Sequence, residues 1–304
     1  MRTIDCAVFF EWEYDEDFIS ILAARLAARK VSYAVYRPGE FGSVGDDLKR
    51  NRIRFRTAID RASDVDENCE SIVKLAVERG VHVVNDPPKM EHSSDKASMH
   101  LEFITAGLYV PYTIIISPYS AEQEIRLSLN ELARLGRPFI IKPANTTGGG
   151  IGVVTGAENL HDVIETRKHH AHDKYLLQQK IEPIVISGRR AWFRPFFVFD
   201  RVFVCWWDDT THIYETATES ELGSRELQEI TGIMRKIRSV CGLDFFSTEV
   251  AATREGKFVV IDYVNEMCDM RLKSRHFDGV PDDVVGLIAD RLAFSVKKLA
   301  GKAK

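Results

Sequence analysis

The first 85 residues alternate apolar runs with amphipathic stretches. Residues 4–10 are apolar apart from Asp5 and predict a buried strand. Phe18, Ile19, Leu22, Ala23 and Leu26 follow at helical spacing, and Asp15 is placed to cap that helix. Residues 31–36 and 53–58 read as further strands, with 38–45 as a loop between them. A helix over 67–79 stops at Gly80, and 81–84 is the next strand. Strands alternating with helices define a parallel α/β lobe. It carries no glycine fingerprint, so no nucleotide is assigned to it.

Asn85-Asp86-Pro87-Pro88 breaks the alternation and reads as the start of a linker. Ser94 or Asp95 can cap a helix over 96–106 that ends at Gly107, and 110–116 is extended. Ile125, Leu127, Leu129, Leu132 and Leu135 predict a helix leading to Gly136, and 159–168 predicts another. Residues 175–181, 191–198 and 202–207 are strands, the last two joined by a turn at Asp200-Arg201. Ser224 is placed to cap a helix with Leu227, Ile230, Ile233, Met234, Ile237 and Val240 on one face, ended by Gly242. A hairpin follows, with strands over 245–251 and 258–265 around Gly256, and then a final helix over 281–299.

Composition narrows the class. The 304 residues are 45% hydrophobic and 28% charged, enough for two or three lobes. A net charge of −4 gives no general attraction to nucleic acid or anionic membrane. Cys6, Cys69, Cys205, Cys241 and Cys268 are odd in number and never in C-x-x-C spacing, which favours reduced thiols over disulfides or zinc. Asp5, Glu11, Glu13 and Asp15 interrupt the N-terminus, unlike a signal peptide. No apolar run approaches the roughly 20 residues of a membrane span. The expected location is the cytoplasm.

Two stretches carry candidate chemistry. Phe139-Ile140-Ile141-Lys142-Pro143 runs into Thr147-Gly148-Gly149-Gly150-Ile151-Gly152 and then a second apolar strand. Glycines let backbone N–H groups close on an anion, and Lys142 can reach the same anion. The plain alternative is a glycine turn with its lysine in solvent. Neither the Walker pattern nor G-x-G-x-x-G fits, which leaves a hairpin lid over phosphates. In the second stretch, Glu249 and Asp262 interrupt apolar strands, and an unpaired buried carboxylate is costly. Glu249, Asp262 and Asn265 match the oxygen donors magnesium prefers; the alternative is that both acids face solvent. His169-His170-Ala171-His172 falls where a helix–strand connection is expected and reads as a loop, not a metal site.

Together these pieces resemble the ATP-grasp superfamily over about residues 80–275, in the family's order. Asp95-Lys96 with Gly107-Leu108-Tyr109-Val110-Pro111-Tyr112-Thr113 is similar to its D-K…G-[IV]-x-x-P-x-T entry. Residues 139–143 and the glycine loop look like its phosphate-covering hairpin. Leu176-Leu177-Gln178-Gln179-Lys180-Ile181-Glu182-Pro183 is similar to its adenine hinge, and the 249/262 hairpin to its metal-binding strands. The resemblance implies an N-terminal parallel α/β lobe (1–88) and two α+β lobes (89–182 and 183–304) clasping ATP. It implies Lys96 and Lys142 on the phosphates, with Thr147, Gly148, Gly149, Gly150 and Ile151 covering them. Gln179, Lys180 and Ile181 would hold adenine, Glu182 the ribose, and Glu249, Asp262 and Asn265 two magnesium ions.

Two departures stand out. Asn265 falls one residue late, which a β-bulge would correct. The usual arginine two residues before the first metal acid is Ser247, so Arg194, or Arg271 and Arg275, must supply the charge. The implied activity is ATP-dependent ligation of a small-molecule or peptide carboxylate to an amine or thiol through an acyl phosphate. The alternatives are a small-molecule kinase and a non-catalytic nucleotide-binding module. Cys268 reads as incidental. Trp206, Trp207, Asp208, Asp209, His212, Tyr214 and Glu215 line a substrate pocket or, for the tryptophans, a core. A homodimer is left open.

Overall fold

Strand β1 (Arg2–Phe10) sends Cys6, Val8 and Phe10 to one face and Ala7 and Phe9 to the other, both buried. The computed structural model describes residues 1–120, 122, 125–145, 151–186, 188–218 and 220–302. After β1 come α1 (Glu16–Ala28), β2 (Tyr33–Tyr36), α2 (Pro38–Lys49), β3 (Ile53–Arg61), α3 (Glu67–Glu78) and β4 (His82–Val84). Their strands form one parallel sheet in the order β2-β1-β3-β4, as the alternation predicts.

Two local expectations fail in this lobe. Residues 38–45 are not a loop but the first turns of α2. Gly39, Gly42 and Gly45 argue against a helix on propensity. Pro38 at the first helical position, the Glu40 carboxylate accepting from Arg37 N–H at 3.1 Å, and buried Phe41, Val44 and Leu48 outweigh them. Gly45 also admits α3: a Cβ there would stand 3.4 Å from Ile72 Cγ1. Asp15, expected to cap α1, makes no capping bond. It is buried and takes Arg61 Nε and Nη2 at 2.6 and 2.8 Å instead.

The expected linker is a helix, α4 (Pro87–Ser94), because the Asp86 carboxylate accepts from Lys89 N–H and fixes its first turn. Asp95 then caps α5 (Lys96–Thr105), accepting from Ala97 and Ser98 N–H. The next lobe contains β5 (Thr113–Ile116), α6 (Leu129–Leu135), β6 (Phe139–Pro143), β7 (Val154–Ala157), α7 (Leu160–Arg167) and β8 (Tyr175–Gln179). Its antiparallel sheet runs β5-β8-β6-β7. Helix α6 is shorter than the periodicity suggests. Ser128 caps it by accepting from Glu131 N–H, while Ile125 and Leu127 pack on the sheet from the segment before it.

A short pair, β9 (Val185–Ile186) and β10 (Arg189–Arg190), leads into β11 (Trp192–Val198), β12 (Arg201–Trp207), β13 (Tyr214–Thr216), α8 (Ser224–Cys241), β14 (Phe245–Ala252), β15 (Phe258–Asn265) and α9 (Asp282–Ala300). The five longer strands form an antiparallel sheet in the order β13-β12-β11-β14-β15. The β11–β12 turn sits one residue earlier than expected, at Phe199-Asp200, with Phe199 at φ +59°. Gly223, not Ser224, holds the N-cap position of α8. Helix α9 wedges Val285, Ile288, Leu292 and Val296 between the first sheet and Phe196 and Val198 of β11. On the sheet's opposite face, Phe193, Phe197, Phe246 and Val250 pack against α8 and against Met99 and Phe103 of α5. Among the described residues no helix is long and apolar enough to cross a membrane.

Candidate active site

Register brings the charged residues of the last sheet together. Glu249 on β14 stands directly opposite Asp262 on β15. The β11–β14 pairing sets Phe193 opposite Val250 and Phe196 opposite Ser247, which places Arg194 opposite Glu249. Direct cross-strand partners share a face of the sheet. Arg194 Nη1 donates to Glu249 Oε1, Trp192 Nε1 donates to Glu249 Oε2 at 3.0 Å, and Arg194 Nε lies 3.4 Å from Ser247 Oγ. The guanidinium therefore stands beside Ser247, where the sequence departs from the family pattern.

A β-bulge lies between Asn265 and Asp262. Between the Ser247–Asn265 and Glu249–Asp262 pairs, β14 advances from 247 to 249 while β15 runs from 265 to 262. The extra residue is a bulge that re-aims the strand. Oriented by its hydrogen-bond surroundings, the Asn265 amide oxygen accepts from Arg194 Nη2 at 2.6 Å and its nitrogen donates to Met267 O at 2.9 Å.

The middle sheet reaches the same place through Lys142. Its side chain is buried, not solvated, and Nζ donates to Ile261 O on β15 at 3.0 Å. Burial, with help from the Lys96 ammonium, holds Lys142 below the usual lysine range against the pull of Asp262 and Glu249. Lys96 opens α5, and its backbone N–H donates to Ala144 O at 3.0 Å, just past the end of β6. For Asp262, burial pushes the carboxyl up, but Lys142, Lys96 and Arg194 prevail and hold it below its ordinary value. Glu249 goes the other way. Burial and the facing Asp262 raise it despite Arg194.

That contrast bears on metal binding. Among the described residues no group of three or more His, Cys, Asp or Glu side chains is placed to hold a metal. The set here is two facing carboxylates and one amide oxygen, all hard oxygen donors of the kind magnesium takes alongside phosphate. Two acids opposed across a ladder repel, and a divalent cation on their shared face would relieve the repulsion that raises Glu249. The residues fit magnesium.

A polar network underlies the lysine. His100 Nδ1 lies 2.8 Å from Tyr263 OH, and Gln178 Nε2 donates to the same hydroxyl at 3.0 Å and to Thr113 Oγ1 at 3.2 Å. Gln178 Oε1 is buried and has no hydrogen-bond partner among the described residues. An orphaned acceptor costs about 1–3 kcal/mol, which a ligand N–H would remove. Nothing in the strand's pattern singles out Gln178; only its orphaned oxygen does. Burial and the nearby Lys142 lower His100 to about 4. A histidine whose folded value lies below its unfolded value of about 6.5 binds its proton in the unfolded state first. Stability is therefore expected to fall as pH drops from about 6.5 toward 4. The His100→Gln variant should show a flatter melting temperature over that range.

Residues 179–182, expected to form the adenine hinge, follow Gln178 directly. Gln179 N–H donates to Tyr112 O at 2.9 Å; Lys180 and Glu182 are exposed and paired at 3.5 Å; Ile181 packs beside Trp192. Thr147, Gly148, Gly149 and Gly150 lie outside the described residues. Ile151 is exposed, and Gly152, at φ +74°, sits where a Cβ would come within 3.0 Å of the His170 ring. The structure does not bring Arg271 to the carboxylate pair. Its guanidinium is bound by Asp269 and Asp278, at 2.7 and 2.9 Å from Nη2, and Arg275 lies 4.0 Å from Asp17. Trp206 belongs to the core, whereas Trp207 lies under Arg194, with the guanidinium carbon 5.3 Å from a ring centroid. Cys268 is fully buried with its thiol pushed up to about 12, so it stays protonated. Asn85, at φ +61°, is a second residue the sequence does not flag. Its side chain donates to Phe245 O and Glu266 O and accepts from Phe245 N–H, tying the first lobe to both ends of the hairpin.

No protein-family model and no curated protein matches the chain. Solved structures do. The RimK domain ATP-grasp protein from Sphaerobacter thermophilus DSM 20745 matches with a TM-score of 0.62 at 20% identity, covering 96% of this chain and 99% of its own. The ATP-grasp ligase PsnB, complexed with minimal precursor, Mg and ADP, matches with a TM-score of 0.66 at 14% identity, over 97% and 98%. D-alanine–D-alanine ligase from Bacillus anthracis, complexed with ATP, gives 0.64 at 12% identity, over 98% and 99%. The chain has the ATP-grasp fold.

Proposed function

We propose that this chain is an ATP-dependent ligase that activates a carboxylate as an acyl phosphate for attack by an amine. The observation that carries the reading is the convergence of Lys142, Arg194, Glu249, Asp262 and Asn265 from two sheets onto one face. Glu249, Asp262 and Asn265 would hold magnesium, which would supply charge neutralisation on the phosphates. Lys142 and Lys96 bind phosphate oxygens, and Gln178 Oε1 takes an N–H of the adenine held at 179–182, with Glu182 on the ribose. Arg194 stands where charge builds on the transferred phosphoryl group. The substrate carboxylate oxygen bonds to the γ-phosphorus while the bond to the β–γ bridging oxygen breaks and ADP leaves. The amine nitrogen then bonds to the acyl carbon, phosphate departs, and the nitrogen sheds its proton. Residues 147–151, by their resemblance to the family's hairpin, would cover the phosphates and keep water from the acyl phosphate. PsnB complexes contain a precursor peptide, which makes peptides worth screening beside small carboxylates.

The test is ADP release across amino acids, peptides and small carboxylates, with hydroxylamine as trap. A hydroxamate of the carboxylate establishes acyl-phosphate formation; a stable phosphorylated alcohol identifies a kinase instead. Lys142→Met is expected to lower ADP formation about 100-fold, the scale of losing one positioned electrostatic group. Methionine keeps much of the volume but leaves buried Asp262 without its principal cation, so the melting temperature is expected to fall as well, and ATP affinity is compared at a temperature where both proteins are folded. Unchanged ATP affinity and turnover would remove Lys142 from the site.

A further inference from the structure

Helix α9 turns Val284, Val285, Ile288, Leu292 and Val296 inward, between the first sheet and β11. Its outward face is not simply polar. Leu287 and Phe294 are 52% and 46% exposed, and exposed Asp283 and Lys298 stand beyond them at either end. At about 100° per residue these four fall within about 30° either side of one line, over a length of about 22 Å. Asp290 and Arg291 flank the middle of that line, and both are already engaged. Asp290 accepts twice from Arg29 Nη2, at 2.7 and 2.8 Å, and Arg291 pairs with Asp200. Arg291 also lies over the Phe294 ring, 4.8 Å from its centroid, which holds the ring in place on the surface. Asp283 and Lys298 differ. Thr216 Oγ1 donates to Asp283 at 3.2 Å, but among the described residues neither Asp283 nor Lys298 makes an ion pair.

We propose that this face of α9 is a two-fold interface between two copies of this chain, with their α9 helices antiparallel. A two-fold interface must be self-complementary. The series Asp283, Leu287, Phe294, Lys298 meets that condition, because its spacings of four, seven and four residues read the same in both directions. With the axis passing between Asp290 and Arg291, Leu287 meets the partner's Phe294 and Asp283 meets the partner's Lys298, each contact made twice. At the axis Asp290 faces the partner's Arg291. Each of these already has a counter-charge in its own chain, so no lone charge is buried there. A parallel pair would set Asp283 on Asp283 and Lys298 on Lys298, and would align the two helix dipoles. The acidic first turn and the basic last turn of α9 favour the antiparallel pair for the same reason. Four apolar side chains and two ion pairs make a small interface, so the expected dissociation constant is micromolar. None of the residues placed at the proposed ATP site lies on α9, so the dimer leaves that site open.

Charge reversal tests the register as well as the face. In sedimentation of the full chain from about 1 to about 300 µM, wild type is expected to pass from monomer to dimer. Asp283→Lys and Lys298→Asp should each weaken the dimer at least about tenfold, since each sets like charges together at both ends. Mixed in equal amounts, the two variants should dimerise again, because one chain then carries lysine and the other aspartate at both positions. Leu287→Ser/Phe294→Ser should abolish the dimer. Leu101→Ser/Ile104→Ser, which removes two exposed apolar side chains from α5 instead, should leave it intact. All the substituted side chains are exposed, so melting temperatures in dilute solution should stay at the wild-type value. A wild type that is monomeric throughout overturns the proposal, as does a mixture no more associated than its single variants. A dimer untouched by Leu287→Ser/Phe294→Ser, or lost in Leu101→Ser/Ile104→Ser, also overturns it.

Discussion

Asp262→Asn is expected to lower ADP formation about 1,000-fold, the upper end of what one positioned charge contributes. The side chain keeps its size, so the effect comes from charge. In the folded protein Lys142, Lys96 and Arg194 hold Asp262 ionised in spite of burial. A carboxylate whose folded value lies below its unfolded value contributes stability above the unfolded value. That contribution is lost as pH falls through the folded value. At neutral pH the variant should therefore melt below wild type, since the lysines lose their counter-charge. Adding magnesium and ATP should raise the melting temperature of wild type more than that of the variant, because the variant lacks one anionic oxygen of the proposed metal set. The two readouts separate a ligand from a residue that only packs. Wild-type turnover in Asp262→Asn would sink the metal assignment and, with it, most of the proposed chemistry.

How much of this site the sequence discloses depends on the range of the interaction. Glu249 and Asp262 are visible because acids interrupt apolar strands, and Lys142 because it closes an apolar strand before a glycine run. Arg194 is visible as a charge within Trp192–Val198, but its placement opposite Glu249 requires the β11–β14 register, which pairs segments more than fifty residues apart. The bulge beside Asn265 is foreseeable only as a need, since strand spacing does not say where an extra residue goes. Gln178 and Asn85 escape because their roles lie in buried hydrogen bonds to distant backbone or in the lack of any partner. The errors in the elements share one origin. On propensity alone the glycines of α2 and the paired prolines opening α4 act as breakers. Tertiary packing of Phe41, Val44 and Leu48, and the Asp86 cap, decide for helix. In the same way Asp15 looks like a cap by position, yet a buried arginine 46 residues away claims its carboxylate.

Arg194→Met should destabilise the fold by about 3 kcal/mol, the lower end for removing one partner of a buried ion pair. Arg194 is largely buried, with its side chain 9% exposed, and it serves three acceptors at once: Glu249, Ser247 and the Asn265 amide. Methionine fills much of its volume, so the loss is electrostatic. Burial and Asp262 already push Glu249 toward its neutral form, and without the guanidinium only the Trp192 hydrogen bond and Lys142 oppose that push. Glu249→Gln alone leaves Arg194 buried without its nearest acid and should also destabilise. The double variant removes both charges, so its cost should fall short of the two single costs added together by about 2 kcal/mol. Chemical denaturation of the four proteins gives that coupling directly, and additive costs would mean that the pair contributes nothing as a pair. Activity should not follow stability. The double variant lacks both the cation beside the transferred phosphoryl group and a magnesium ligand, so its ADP formation should stay at least about 100-fold below wild type. Recovery of turnover with recovery of stability would show that Arg194 and Glu249 hold the sheet together and take no part in the reaction.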